Sequence, residues 1–98
     1  MQDIDVVVDE GEFLKAGEMQ RRQLRELARR LKSEPFLGDR IPQRLKPREF
    51  KGLPNLFRLE LPDGWRALYT VASSPSEGTQ VRILWIGSHS RYDRLFGY

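Results

Sequence analysis

The sequence predicts a single α+β domain in which a long helix covers one face of an antiparallel sheet. Three observations lead to this prediction: a short β-branched segment opens the chain, a segment with helical periodicity follows it, and residues 56–86 contain two alternating segments and one apolar segment. A chain of 98 residues has the length of one domain. We therefore expect residues 1–98 to share one core.

The first strand and the helix are predicted from residues 4–33. Residues 4–8 are rich in β-branched side chains, and Asp9 followed by Glu12 has the spacing of a helix-capping box. We expect one continuous helix from there to about Ser33, because the residue before Pro35 cannot easily remain helical. Its apolar stripe at helical spacing is expected to form the core: Phe13, Leu14, Gly17, Leu24, Leu27, Ala28 and Leu31.

Residues 34–55 are predicted to form a long basic loop. Prolines interrupt this segment, and a short helix is expected near Pro42 to Leu45. The densest cluster of cations in the chain lies here: Arg40, Arg44, Lys46, Arg48 and Lys51. Such a cluster fits an anionic partner, although an ordinary solvated surface fits it as well.

Residues 56–86 predict three antiparallel strands. Residues 56–61 and 65–72 alternate, and residues 81–86 are almost continuously apolar, as expected of a central strand. The sequence Pro62-Asp63-Gly64 fits a three-residue hairpin loop, a type I turn with Gly64 in the left-handed conformation.

The register of this hairpin separates charged from apolar side chains. With a three-residue loop, Glu60 lies opposite Arg66 and Arg58 lies opposite Leu68. We expect these charged side chains on a sheet face that remains open. The apolar side chains then face the helix: Phe57, Leu59, Leu61, Trp65, Ala67 and Tyr69.

The end of the chain, GSHSRYDRLFGY, carries the only histidine. We expect Gly87 to end the third strand and residues 92–96 to form a short helical turn, so that His89 can reach the open face. Arginines hold a phosphate and stabilise its transition state, and His or Glu moves protons near neutral pH. No metal is needed when a ribose 2′-hydroxyl is the nucleophile. A cross-strand network of ion pairs without any activity fits the same residues.

Composition narrows the functional classes further. The chain has no cysteine and one histidine, so a zinc site built by the protein alone is not expected. No apolar run approaches the length of a membrane span, and the acidic N-terminus is unlike a signal peptide. We expect a cytoplasmic protein.

Two segments, LFRLELPDGWRALYTV and GSHSRYD, resemble the RelE/HigB-like toxins of the RelE/ParE toxin–antitoxin superfamily. The second is similar to the G-[ST]-H-x-x-Y-D ending of HigB-like members, and the order of elements resembles the RelE-like fold over nearly the whole chain. The resemblance implies a ribosome-dependent mRNA endonuclease that uses 2′-hydroxyl attack and no metal or cofactor. It also implies a cognate antitoxin, the ribosome and mRNA as partners.

The resemblance implies roles for three residues of the hairpin. Arg58 matches a position that is often basic in the family, and Arg66 matches an arginine that would hold the scissile phosphate. Glu60 stands where RelE itself has a lysine. Glu60 is therefore expected either to act as a base or only to neutralise an arginine.

Three residues of the C-terminal motif complete the catalytic set that the resemblance implies. His89 would be the acid or base, Tyr92 would stack on a base of the RNA, and Asp93 would orient His89. The residues expected to bind RNA are Arg40, Arg44, Lys46, Arg48, Lys51, Arg91 and Arg94. Those expected to bind the antitoxin are Arg22, Arg25 and Arg29.

Two alternative functions remain compatible with the sequence. A ParE-like gyrase inhibitor shares the fold and does not need a catalytic histidine. A degenerate toxin would have lost catalysis and would only bind a partner protein or RNA.

Overall fold

A five-stranded mixed sheet is the frame of the molecule in the computed structural model, which describes residues 4–98. Along the chain, the strands are β1 (Ile4–Val8), β2 (Asp39–Arg40), β3 (Phe57–Glu60), β4 (Trp65–Ser74) and β5 (Gly78–Ser88). Their order in the sheet is β1-β5-β4-β3-β2, with β1 parallel to β5 and all other pairs antiparallel. The predicted α+β class, first strand and three-stranded meander are confirmed. The short strand β2 is not predicted by the sequence pattern.

Three helices accompany the sheet: α1 (Glu10–Lys15), α2 (Glu18–Ser33) and α3 (His89–Phe96). The predicted start of the first helix is confirmed, because the backbone N–H of Glu12 donates to Asp9 Oδ1 at 3.2 Å. The prediction of one continuous helix is wrong, since the chain is extended at Gly17, with φ −72° and ψ 175°. The loop after α2 contains two short 3-10 helices, at Gln43–Leu45 and Arg48–Phe50, and the first confirms the predicted helix near Pro42.

The larger apolar core lies between α2 and one face of the sheet. Leu24, Leu27 and Leu31 of α2 are buried there together with side chains from β3, β4 and β5. Burying each leucine contributes roughly 1.5–3 kcal/mol. Leu14 on α1 is exposed, so its predicted place in the core is wrong. The side chain of Phe13 lies outside the described residues.

The predicted register of the β3–β4 hairpin is confirmed. Glu60 pairs with Arg66, Arg58 pairs with Leu68, and the apolar residues on the alternate positions pack against the larger core. The three-residue loop is also confirmed, but the type I turn is wrong. Asp63 as well as Gly64 has a left-handed backbone, with φ values of 63° and 74°.

The second face of the sheet carries its own core, and the expectation of an open face is wrong. Ile41, Leu56, Leu68 and Tyr92 are buried there, and α3 and the loop before β3 cover them. The predicted C-terminal helical turn is an eight-residue helix that begins at His89. Charged side chains therefore reach solvent at the rim of this face.

A bulge in β5 interrupts its regular pairing with β4. Leu68 pairs with Trp85 but Tyr69 pairs with Ile83, so Leu84 is the extra residue. Beyond the bulge, β5 continues through Gly87, which pairs with Arg66, and the expectation that Gly87 ends the strand is wrong. The ring of Trp85 occupies the space beside Gly87, where a Cβ would lie 2.6 Å from ring carbons.

Within residues 4–98, no helix combines the length and apolarity that crossing a membrane requires.

Candidate functional site

A shallow cleft of about 190 Å³ lies at the end of the β3–β4 hairpin. It is lined by Glu60, Leu61, Gly64, Trp65, Arg66 and His89. The cleft brings together three of the side chains that the sequence singles out: a carboxylate from β3, a guanidinium from β4 and the imidazole that follows β5. In the described part of the chain, no group of three or more His, Asp or Glu side chains is arranged to hold a metal ion.

Arg66 is held in this cleft from two sides. Its Nη2 atom lies 3.8 Å from Oε1 of Glu60, and its Cζ atom lies 4.6 Å from the centre of the Tyr92 ring. The Arg66 side chain is only 17% exposed. A guanidinium that stacks on an aromatic face still directs its N–H groups outward in the plane, where they can bind an anion.

His89 enters the cleft from the first turn of α3. Ser88 caps this helix, with its Oγ accepting from the backbone N–H of Arg91 at 3.4 Å. The helix then places Asp93 one turn after His89, and the distance from His89 Nε2 to Asp93 Oδ2 is 3.3 Å. The His89 side chain is 58% exposed, so a substrate can reach it while Asp93 fixes the ring.

Tyr92 does not line the cleft surface. Its side chain is buried, with 2% of the residue exposed, and its ring stacks on Phe96 with centroids 4.3 Å apart. Burial raises the pKa of the Tyr92 phenol, and the neighbouring Arg58 guanidinium only partly offsets this. In this conformation Phe96 and Arg66 pack against the ring, so the implied stacking of Tyr92 on an RNA base finds no exposed ring face here.

Arg58 lies next to the Tyr92 hydroxyl and not in the cleft. Interaction with this hydroxyl and with Asp39 raises the pKa of Arg58, and Arg58 Nη2 is 3.5 Å from Asp39 Oδ2. Its Nε atom is buried without a hydrogen-bond partner. Arg58 lines a separate pocket beside β2 and the end of α3. The structure therefore separates the two arginines that the sequence places on one face.

The basic loop presents four of its five predicted RNA-binding cations to solvent: Arg40, Arg44, Arg48 and Lys51. Lys46 differs, because it is only 5% exposed. Its Nζ atom donates to Gln43 Oε1 at 2.6 Å and to the carbonyl of Leu53 at 2.8 Å. In this conformation the Lys46 ammonium is not available to an RNA phosphate, and it links two parts of the loop instead.

The other predicted binding arginines are exposed on two helices. Arg22, Arg25 and Arg29 lie on α2, where Arg29 pairs with Glu26 at 2.5 Å. Arg91 and Arg94 lie on α3. These positions form surfaces that can meet a macromolecule, and they are separate from the cleft lining.

Sequence reasoning missed Tyr98, which is the exposed end of a row of aromatic rings. Tyr92 stacks on Phe96, and Phe96 on Tyr98. The spacing of Tyr92 and Phe96, one helical turn apart, is the sequence signal that could have indicated this row.

Comparison of the chain with protein-family models, curated proteins and solved structures finds no match.

Proposed function

We propose that this chain is the toxin of a type II toxin–antitoxin pair, with a RelE-like fold, and that it cleaves mRNA on the ribosome without a metal. One observation carries the proposal: Glu60, Arg66 and His89 line the same cleft. The motif resemblance supplies the class of protein, and the chemistry of these three side chains fits phosphodiester cleavage.

The reaction begins with the ribose 2′-hydroxyl next to the scissile phosphate. Glu60 accepts the proton of this hydroxyl, and the oxygen forms a bond to phosphorus. The bond from phosphorus to the 5′-oxygen breaks, and His89 donates a proton to that leaving oxygen. The products are a 2′,3′-cyclic phosphate and a 5′-hydroxyl.

Arg66 stabilises the charge that builds up on the phosphoryl oxygens. Its guanidinium is partly withdrawn from water and is already held by Tyr92 and Glu60. Little reorganisation is therefore needed when the phosphorane forms, which is the condition under which such a group contributes most. The exposed loop cations would hold the rest of the RNA through its phosphates without reading its bases.

The test is the end chemistry of the RNA products from ribosomes programmed with a defined mRNA. We expect 2′,3′-cyclic phosphate and 5′-hydroxyl ends with the wild type. We expect none with the double variant Arg66→Ala/His89→Gln. Arg82→Ala is the matched control, because Arg82 is an exposed arginine of β5 outside the cleft, and it should cleave normally. Products with a 5′-phosphate would overturn the mechanism.

The same protein preparations separate the alternatives. Inhibition of gyrase supercoiling without any RNA cleavage would replace the proposal with a ParE-like activity. Ribosome or partner binding without either activity would identify a degenerate toxin.

A further inference from the structure

A groove of about 360 Å³ lies at the edge of β5, where α1 borders the sheet in place of a strand. β1 pairs with β5 only from Thr79 to Ile83. Further along β5, the N–H of Ile86 donates to Oε2 of Glu12 at 3.3 Å, so a side chain of α1 serves as the acceptor that a neighbouring strand would supply. The groove has the size of a small-molecule site, for which volumes are about 300–1,000 Å³.

Four charged side chains line the groove, and their charges cancel: Glu12, Lys15, Glu49 and Arg91. The first two come from α1, the third from the loop before β3 and the fourth from α3. Among the described residues, none of the four belongs to an ion pair. A simple anion would meet two carboxylates here, and a simple cation would meet two cationic side chains. A zwitterion, in contrast, can form charge-assisted hydrogen bonds with both kinds.

Both tryptophans of the chain, Trp65 and Trp85, also line the groove. Trp65 packs against the larger core and Trp85 against the second core, so folding fixes both rings. An indole ring offers a flat apolar surface to another side chain, and its π face attracts an ammonium group. The small residues Ala16 and Gly17 complete this part of the lining and leave room beside the rings.

We propose that this groove is a binding site for a free α-amino acid with a large apolar side chain. The two carboxylates hold the ammonium group of the ligand, the two cationic side chains hold its carboxylate, and its side chain packs on the indole rings. The site goes beyond the proposed function, because it contains none of the three side chains proposed to cleave RNA. Trp65 borders both the groove and the cleft.

Tryptophan fluorescence reports on this groove, because both tryptophans line it. The probes are L-leucine, L-methionine and L-phenylalanine, added to the protein without RNA or ribosomes, so the result is independent of any cleavage activity. We expect a saturable change with at least one of them. The N-acetyl derivative of that amino acid lacks the ammonium group and its amide lacks the carboxylate, so each should bind at least about tenfold more weakly.

Two outcomes of this titration would overturn the site. The first is that none of the three amino acids produces a saturable change. The second is that either derivative binds as tightly as the amino acid itself, because a zwitterion site must use both charges.

The N–H of Ile86 provides a second readout that locates the ligand. It donates to Glu12, so its NMR amide signal should shift with the same saturation curve as the fluorescence. The N–H of Val71 donates to Asn55 Oδ1 at 2.8 Å and does not line the groove, so its signal is the control. A fluorescence change without a shift at Ile86 would place the ligand elsewhere and overturn this site.

Substitution of the charged lining tests each end of the ligand. Glu12→Gln removes a negative charge but keeps an oxygen that can accept from Ile86, and Lys15→Gln removes a positive charge. Each variant should bind the amino acid about tenfold more weakly, because a hydrogen bond to a charged group is lost.

Glu10→Gln and Lys32→Gln are the matched controls, since they remove the same charges from exposed positions that do not line the groove. Both should bind as the wild type does. Equal weakening in a control and its matched variant, or unchanged binding in both Glu12→Gln and Lys15→Gln, would contradict the proposed site.

Discussion

The guanidinium of Arg66 lies over the ring of Tyr92, with Cζ 4.6 Å from the ring centre. The Tyr92 ring is itself held in place by Phe96, which stacks on it in the second core. The Arg66 side chain is therefore held in position at the cleft by rings that belong to the folded core. A group that is already in position loses little entropy when it binds a phosphate.

Substitution of Arg66 should lower cleavage much more than it lowers stability. Arg66→Ala removes the stacking on Tyr92, and we expect unfolding in urea to become easier by about 0.5–2 kcal/mol. Cleavage should fall by about 10²–10³-fold, because the variant lacks a group that stabilises developing charge. Arg66→Lys keeps the charge but not the planar guanidinium, and its cleavage rate should lie between those of the wild type and Arg66→Ala. Full cleavage by Arg66→Ala would exclude Arg66 as the phosphate-binding group.

The hairpin that carries Arg66 could be predicted because its two faces differ so strongly. Shifting the pairing by one residue would move Phe57, Leu59 and Ala67 from the core to the other face, and only the three-residue loop avoids this. The same reasoning places Glu60 beside Arg66. The register of the hairpin and the pairing of Glu60 with Arg66 both depend only on residues that are close in the sequence.

The second core could not be predicted in the same way. Ile41 and Leu53 come from residues 34–55, a segment without periodicity, and their partners Tyr92 and Phe96 follow much later in the chain. Without that core, the sequence leaves Tyr92 free to meet RNA and leaves Lys46 on the surface. The folded protein buries both, because α3 packs over the sheet and Lys46 bonds to its own loop.

Lys46 should matter for stability and not for the salt dependence of RNA binding. Lys46→Met leaves Gln43 Oε1 and the Leu53 carbonyl without their donor, and we expect unfolding to become easier by about 1–3 kcal/mol. The slope of log affinity against log salt for programmed ribosomes should not change.

The exposed cations of the same loop should behave in the opposite way. Arg44→Gln with Arg48→Gln should reduce that slope by about 0.7–0.9 for each phosphate that the protein no longer neutralises, with little effect on unfolding. A change in slope with Lys46→Met equal to that of the double variant would contradict the structural role of Lys46. An unchanged slope in the double variant would show that the loop does not bind RNA.

Alkaline pH should destabilise the fold through Tyr69 and Tyr92. Burial raises the pKa of both phenols, and the N–H of Gly38 donates to the Tyr69 oxygen at 2.7 Å. Above the ordinary tyrosine pKa of about 10, the unfolded chain binds fewer protons than the folded one, so stability falls as pH rises. Each tyrosine can lower the free energy of unfolding by up to about 1.4 kcal/mol per pH unit.

Urea unfolding from pH 8 to pH 11, with phenolate absorbance followed in parallel, measures this effect. Tyr92→Phe should reduce the loss of stability at high pH, because phenylalanine has no proton to release. Tyr69→Phe should do the same while also losing the bond from Gly38. A stability that does not change over this range, or the same decline in both variants as in the wild type, would contradict the assignment.

His89 is the residue whose substitution should affect chemistry and almost nothing else. Its side chain is exposed, so His89→Gln should change the free energy of unfolding by no more than about 0.5 kcal/mol. Binding to ribosomes and to the antitoxin should remain, because glutamine keeps a similar size and polarity. Cleavage should fall by roughly 10²–10⁴-fold, the usual contribution of a general acid or base.

Asp93→Asn is the matched variant: it keeps His89 but weakens the interaction that orients its ring, and it should reduce cleavage by less. Single-turnover cleavage of a defined mRNA measures all three proteins. Normal cleavage by His89→Gln would assign the proton transfers to Glu60 or to water, and a larger loss with Asp93→Asn than with His89→Gln would make Asp93 the reacting group.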